Sequence, residues 1–303
     1  MRIATLPAAH QRALCQQILD HPFIDGVRYN SGARSPEPPL ETVSRLLEWA
    51  TSAGKRLWID LKGRQLRIEQ WAVPTFGDIV LNHSLEVDLP AQLILRHGEE
   101  TRIVAINGRS VFVDPPPATA VGQGQAVNVR GANLRIDGYL TPDDHAYLQA
   151  CRELGVLDVM LSFVEQADDI STVRQLLPGA RCVLKIESMR GLAFVQAASA
   201  AELAGCQLMA ARDDLYVNIE PSPAAILPAL ALLVQRDPEA ICASRLFAGL
   251  EHAKGAVPSI GDLTDLCYMQ QLGYKHFMLS DGICQRRFAD VMQAWQDFHG
   301  APA

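Results

Sequence analysis

The sequence predicts an α/β protein, a (β/α)8 TIM barrel with a small all-β cap domain inserted after the third strand. Three observations predict it: short apolar runs alternate with amphipathic stretches, the runs number eight, and one connection is too long and too β-patterned for a barrel loop. Strands buried on both faces of a parallel sheet read as continuous apolar runs, and the helices joining them carry a 3.6-residue period.

The strand runs are Arg2–Thr5, Gly26–Asn30, Leu57–Leu61, Asp158–Ser162, Arg181–Glu187, Gln207–Ala211, Ala240–Ser244 and His276–Ser280. Helical patterns lie between them at Ala9–Leu19, Leu40–Thr51, Thr141–Leu154, Ser222–Gln235 and Ile260–Gln271, and Gln285–Phe298 follows the eighth run. Eight such units within 303 residues fit one barrel with a modest insert. About 90 residues separate the third and fourth runs, far more than a barrel loop needs. Within them Gln92–Arg96, Thr101–Ile106 and Ser110–Val113 alternate in polarity, punctuated by His97-Gly98, Asn107-Gly108 and the stiff turn Pro115-Pro116-Pro117. Residues 69–136 are therefore assigned to the cap, and 1–68 with 137–303 to the barrel.

Twenty-seven Lys and Arg against 34 Asp and Glu leave a net charge of -7, so a nucleic-acid partner bound through phosphate neutralisation is not expected. A local basic pocket for a small anion remains compatible with that balance. The seven cysteines (Cys15, Cys151, Cys182, Cys206, Cys242, Cys267 and Cys284) are widely spaced and form no Cys-x-x-Cys, which argues against structural zinc and a disulfide framework. Thiols in apolar runs pack as small hydrophobes in a reducing compartment, and the protein reads as cytoplasmic. The N-terminal segment lacks the apolar core of a signal peptide, and no run is long enough to span a membrane, so no membrane partner is expected.

Active sites of such barrels lie at the C-terminal ends of the strands. Those ends carry Arg28-Tyr29-Asn30, Asp60-Leu61-Lys62-Gly63, Ser162-Phe163, Lys185-Ile186-Glu187, Arg212-Asp213-Asp214, Ser244-Arg245 and Ser280-Asp281-Gly282. Glu187 and Asp214 end neighbouring strands, as a pair of oxygen ligands for magnesium or manganese or as two solvated loop acids. Lys185 lies two residues before Glu187 and points to the same side of the strand. There it either offsets negative charge developing on a phosphoryl group or enolate, or pairs with Glu187. Arg28 adds a fork suited to phosphate or carboxylate.

These segments resemble the pyruvate kinase family. Leu184-Lys185-Ile186-Glu187-Ser188 is similar to its Lys-Ile-Glu motif, and Met209-Ala210-Ala211-Arg212-Asp213-Asp214-Leu215 to its Ala-Arg-Gly-Asp-Leu signature. Val159-Met160-Leu161-Ser162-Phe163-Val164, Ile241-Cys242-Ala243-Ser244 and Met278-Leu279-Ser280 resemble its fourth-, seventh- and eighth-strand runs. Val27-Arg28-Tyr29-Asn30-Ser31, Ile59-Asp60-Leu61-Lys62-Gly63 and Ala126–Gly131 resemble its N-terminal segments and the close of its cap.

The resemblance implies phosphoryl transfer between phosphoenolpyruvate and ADP, or another acceptor, through a pyruvate enolate, as in glycolysis. It implies Glu187 and Asp214 as ligands of Mg2+ or Mn2+, and Asn30 and Asp60 as ligands of K+. Lys185 and Arg28 would meet the phosphoryl group, and Ser244 would stand near the enolate carbon. Arg212, Asp213, Ser280 and Arg67 are the remaining substrate-binding candidates. The apolar helix face Ala224–Leu233 reads first as barrel-packing surface, and a homo-oligomer is compatible with it. The pattern ends with the eighth helix, so the family's C-terminal regulatory domain is not expected.

The sequence also departs from the family. Asp213 replaces a glycine, Leu61 replaces a threonine of the potassium site, and Val121–Gln125 lacks the lysine that reaches the nucleotide. These departures keep two other readings open: a metal-dependent 2-oxo acid lyase or aldolase, with His83 or His252 as base, and a decayed enzyme that binds phosphoenolpyruvate or pyruvate without turnover.

Overall fold

The structure, a computed structural model, describes residues 1–33, 35–74, 77–95, 98–118 and 121–300. Its strands open with β1 (Arg2–Thr5), β2 (Gly26–Asn30) and β3 (Arg56–Leu61). The chain then passes through β4 (Ile79–Val80), β5 (Leu85–Glu86), β6 (Ala91–Ile94), β7 (Glu100–Asn107), β8 (Ser110–Asp114), β9 (Asn128–Arg130) and β10 (Arg135–Ile136). It returns with β11 (Asp158–Leu161), β12 (Arg181–Ile186), β13 (Cys206–Ala211), β14 (Ile241–Ala243) and β15 (His276–Met278).

β1, β2, β3 and β11 to β15 pair in that order, all parallel, and β15 closes on β1. With a helix after each strand or its insert, this is the expected (β/α)8 barrel. The chain divides into two compact units, Met1–Leu61 with His145–Ala303, and Lys62–Asp144. Among the described residues, no helix is long and apolar enough to cross a membrane.

Alternation along the strands builds the barrel interior in layers. Ile3, Trp58, Met160, Val183, Met209, Ile241, Ala243 and Met278 form one buried apolar cluster. Two residues further along their strands stand Thr5, Asp60, Ser162 and Lys185, with Arg28 two beyond Gly26, so the same inward faces turn polar toward the strand ends. Gly26 makes room for the fully buried Trp58 ring: a Cβ there would lie 2.4 Å from Trp58 Cζ3 and 2.9 Å from the Arg56 carbonyl oxygen. Gly26→Ala is expected to lower unfolding free energy by about 3 kcal/mol, the upper range for overpacking, as read by urea unfolding.

The final helical pattern is divided. Helices span Asp281–Arg286 and Phe288–Gly300, and Arg287 between them leaves helical geometry at φ -137°. The first begins directly after β15 with Ser280 as its N-cap. The pattern Ser222–Gln235 likewise opens as a 3-10 turn, Pro223–Ala225, before the helix Ile226–Arg236.

The second unit holds an antiparallel sheet ordered β4-β8-β7-β6-β9 and a pair β5-β10. Its core includes Ile68, Ile79, Leu81, Leu93, Ile103 and Val111. Of the expected strand Gln92–Arg96, Arg96 lies outside the described residues, as does His97 of the His-Gly turn. The entering and leaving chain segments are tied together: Asp144 accepts from the Lys62 and Gly63 backbone N–H groups at 2.7 and 3.1 Å. His83, buried, bridges the Gly63 and Asp137 carbonyls through Nε2 at 2.9 Å and Nδ1 at 3.0 Å.

Candidate active site

The strand ends of the barrel unit carry a buried, charged network. Arg28 on β2 donates from Nε to Asp60 Oδ2 at 2.8 Å, from Nη1 to Asp281 Oδ1 at 2.5 Å and from Nη1 to Thr5 Oγ1 at 3.2 Å. Lys185 on β12 donates to Ser162 Oγ at 2.7 Å and lies 3.1 Å from Glu187 Oε1 and 3.4 Å from Asp60 Oδ2. The Ser162 hydroxyl in turn donates to the Leu61 carbonyl at 2.8 Å. Glu187 Oε2 accepts from the Phe163 backbone N–H at 2.7 Å, a donor aimed by the positive φ of Phe163.

Lys185, Arg28, Asp60 and Glu187 are all buried, so their charges act on one another with little screening. Burial alone would raise the Asp60 carboxyl, but Lys185 and Arg28 outweigh it and hold the group below its ordinary range. Burial likewise opposes charge on Lys185 and Arg28, and the carboxylates around them win, raising both. Glu187 goes the other way: burial pushes its carboxyl up to about 7, Lys185 pulls it down, and the Asp214 charge adds to the rise. Asp214 is half-buried at the start of the helix Arg212–Asn218, and Asn218 Nδ2 ties the Glu187 and Asp214 carbonyls at 3.1 and 2.8 Å.

Arg28, Asp60, Lys185, Glu187 and Asp214 thus converge. The other candidates are placed differently. Arg212, buried, forms a fork with Asp265 at 2.7 and 3.0 Å and donates to the Ser244 carbonyl at 2.6 Å. Its guanidinium thereby holds Ser244, which closes β14 in the left-handed region at φ 66°. Asp265→Ala would leave a buried Arg212 uncompensated, and a loss of about 3 kcal/mol in chemical unfolding is expected. Asp213 is an exposed residue paired with Arg245 at 2.6 Å. Ser280 is the half-buried N-cap of the helix Asp281–Arg286.

Asn30 accepts from the Gly32 backbone N–H at 2.9 Å and donates to Asp281 Oδ2 at 3.3 Å. With Asp60 already flanked by two cations, the potassium pair Asn30 and Asp60 is engaged by protein groups. Arg67 belongs to the second unit, where Gln65 Oε1 and the Gly124 carbonyl hold its guanidinium. The suggested base His83 has both ring nitrogens on backbone carbonyls, while His252 is exposed after the short helix Ala248–Glu251.

The sequence reading missed Asp281, Asp265, Ser162 and Thr5 as members of these networks. Asp281 and Ser162 follow apolar runs at strand ends, which was the available signal; Asp265 lies within a helix and has none.

The donor set fits a hard divalent cation. Magnesium is held by one or two carboxylates completed by water and substrate oxygens, and Glu187 with Asp214 supplies two. Among the described residues no three or more His, Cys, Asp or Glu side chains are arranged to hold a metal ion by themselves, so any such ion would rely on non-protein oxygens.

Fold and site together define a (β/α)8 barrel whose strand ends hold a compact arrangement of two buried cations and three acids. No protein-family model matches the chain. Among curated proteins, pyruvate kinase II of Salmonella typhimurium is 26% identical over 239 residues, covering 67% of this chain and 49% of the relative. The chain spans about half the length of that protein. The likeness supports a pyruvate kinase-like barrel.

Proposed function

We propose that the barrel unit binds phosphoenolpyruvate or pyruvate at its strand ends and transfers a phosphoryl group between phosphoenolpyruvate and an acceptor, with ADP the first candidate. The observation that supports this reading is the convergence of Arg28 and Lys185 on the same buried carboxylates, in a barrel similar to pyruvate kinase. Transfer of this kind asks mainly for positioning and charge neutralisation.

In the forward direction the enol phosphate P–O bond breaks and a P–O bond to the acceptor oxygen forms. The enolate of pyruvate then takes a proton at its methylene carbon. Lys185, fixed by Ser162, Asp60 and Glu187, would neutralise the transferring group. Arg28 would hold it from β2. Asp281, 44% exposed on its side chain against 2% for Asp60, is the partner an incoming phosphoryl group would replace, while Asp60 keeps the guanidinium aligned. Ser244, positioned by Arg212, is the residue we place beside the enolate carbon. Glu187 and Asp214 would hold Mg2+ or Mn2+, which supplies positive charge to substrate oxygens.

Calorimetric titration with phosphoenolpyruvate in magnesium is the test of binding. A saturable heat that Arg28→Met weakens by about tenfold or more is expected, the worth of one charge-assisted contact. Absence of binding by the folded wild-type protein would overturn the reading.

A further inference from the structure

At the opposite end of the barrel strands, Cys182 on β12 and Cys206 on β13 are directly paired in register. Adjacent strands lie about 4.8 Å apart, within the Cα separation that a disulfide spans. Val183 and Met209 belong to the interior cluster, so Cys182 and Cys206 face the outer side together. Cys182 is buried and Cys206 half-exposed.

Arg174 Nη2, anchored on the Ala204 carbonyl at 2.8 Å, lies 3.3 Å from Cys206 Sγ. Cys206 also lines an open cavity of about 260 Å3 with Leu203, Leu208, Arg236 and Asp237, large enough to admit a small oxidant. We propose that Cys206 and Cys182 are a redox pair, with Cys206 the thiolate that reduces a hydroperoxide and Cys182 the thiol that resolves it.

In the first step Cys206 sulfur attacks the peroxide, the O–O bond breaks, and sulfenic acid forms with release of an alcohol or water. In the second, Cys182 sulfur attacks the sulfenic sulfur, the S–O bond breaks, and the hydroxide leaves with the Cys182 proton as water. The two thiols lose two electrons and the peroxide gains them.

The remaining thiols provide the contrast. Burial pushes Cys15 up to about 11 and Cys151, Cys242 and Cys284 up to about 12, whereas the hydrogen bond from Cys182, with Arg174, draws Cys206 down against its own burial. Cys267 is half-exposed like Cys206, but its sulfur meets Gln271 Nε2 at 3.7 Å in place of a cation. Reactive thiols are partly exposed and electropositive, which describes Cys206.

The test treats the reduced full chain with hydrogen peroxide, blocks remaining thiols and maps peptides by mass spectrometry. A Cys182–Cys206 bridge with Cys267 still alkylated is expected. Before oxidation, iodoacetamide at neutral pH should label Cys206 about tenfold faster than Cys267, and Arg174→Gln should remove that advantage. In Cys182→Ala, a sulfenic-acid trap should capture Cys206. Equal labelling of Cys206 and Cys267 in the wild type, or oxidised Cys206 beside a Cys182 that still alkylates, would overturn the proposal, and both readouts use the unmutated chain.

Discussion

Lys185→Met is expected to cut phosphoenolpyruvate turnover by roughly 10³-fold, the scale for removing one preorganised charge donor from a transition state. Lys185 is the group that touches Ser162, Asp60 and Glu187 at once, so its position is fixed before any substrate arrives. Its folded-state pKa is raised, so its charge contributes stability from acid up to the lysine range and is lost only above it. The variant should therefore be less stable across neutral pH. A buried pair broken on one side costs about 3–5 kcal/mol. Part of that loss should be recovered below neutrality, where Glu187 takes up a proton. Circular dichroism with a coupled pyruvate assay checks both parts. Undiminished turnover in folded Lys185→Met would remove the residue from the mechanism.

Glu187→Gln is expected to separate stability from function. The Glu187 carboxyl rises from 4.5 to about 7 on folding. Below 4.5 it is protonated in folded and unfolded chains alike and contributes nothing. Between the two values the unfolded chain ionises first, so stability falls as pH rises, and above 7 the full cost stands, about 3 kcal/mol. Removing the charge should thus raise the melting temperature by several degrees near pH 8 in chelator, with little change near pH 4. The same substitution removes one of the two proposed metal ligands, and turnover with magnesium should be lost. Equal melting of variant and wild type at both pH values would contradict a buried Glu187 carboxylate destabilised by desolvation.

Much of the barrel was legible because strands buried on both faces leave unbroken apolar runs, and β1 and β2 begin and end where those runs do. Runs read as ending at Ser162, Glu187, Ser244 and Ser280 stop one or two residues earlier in the structure, since these polar residues have already left the ladder. Arg28, Lys185 and Glu187 stood out because a period of two puts charges on an inward face that is otherwise apolar. Their partners were hidden by distance along the chain: Asp281 meets Arg28 across 253 residues. Arg212 entered as a substrate contact only through the resemblance, and Asp265, on a helix 53 residues later, takes its guanidinium fork. Cys182 and Cys206 read as separate apolar thiols until the register of β12 and β13 set them side by side.

Phosphorus NMR of phosphoenolpyruvate mixed with the purified protein and magnesium, with and without ADP, tests the central claim most directly. Loss of its signal only when ADP is present, matched by ATP and pyruvate, is the predicted result. An unchanged spectrum from folded protein would contradict phosphoryl transfer at this barrel.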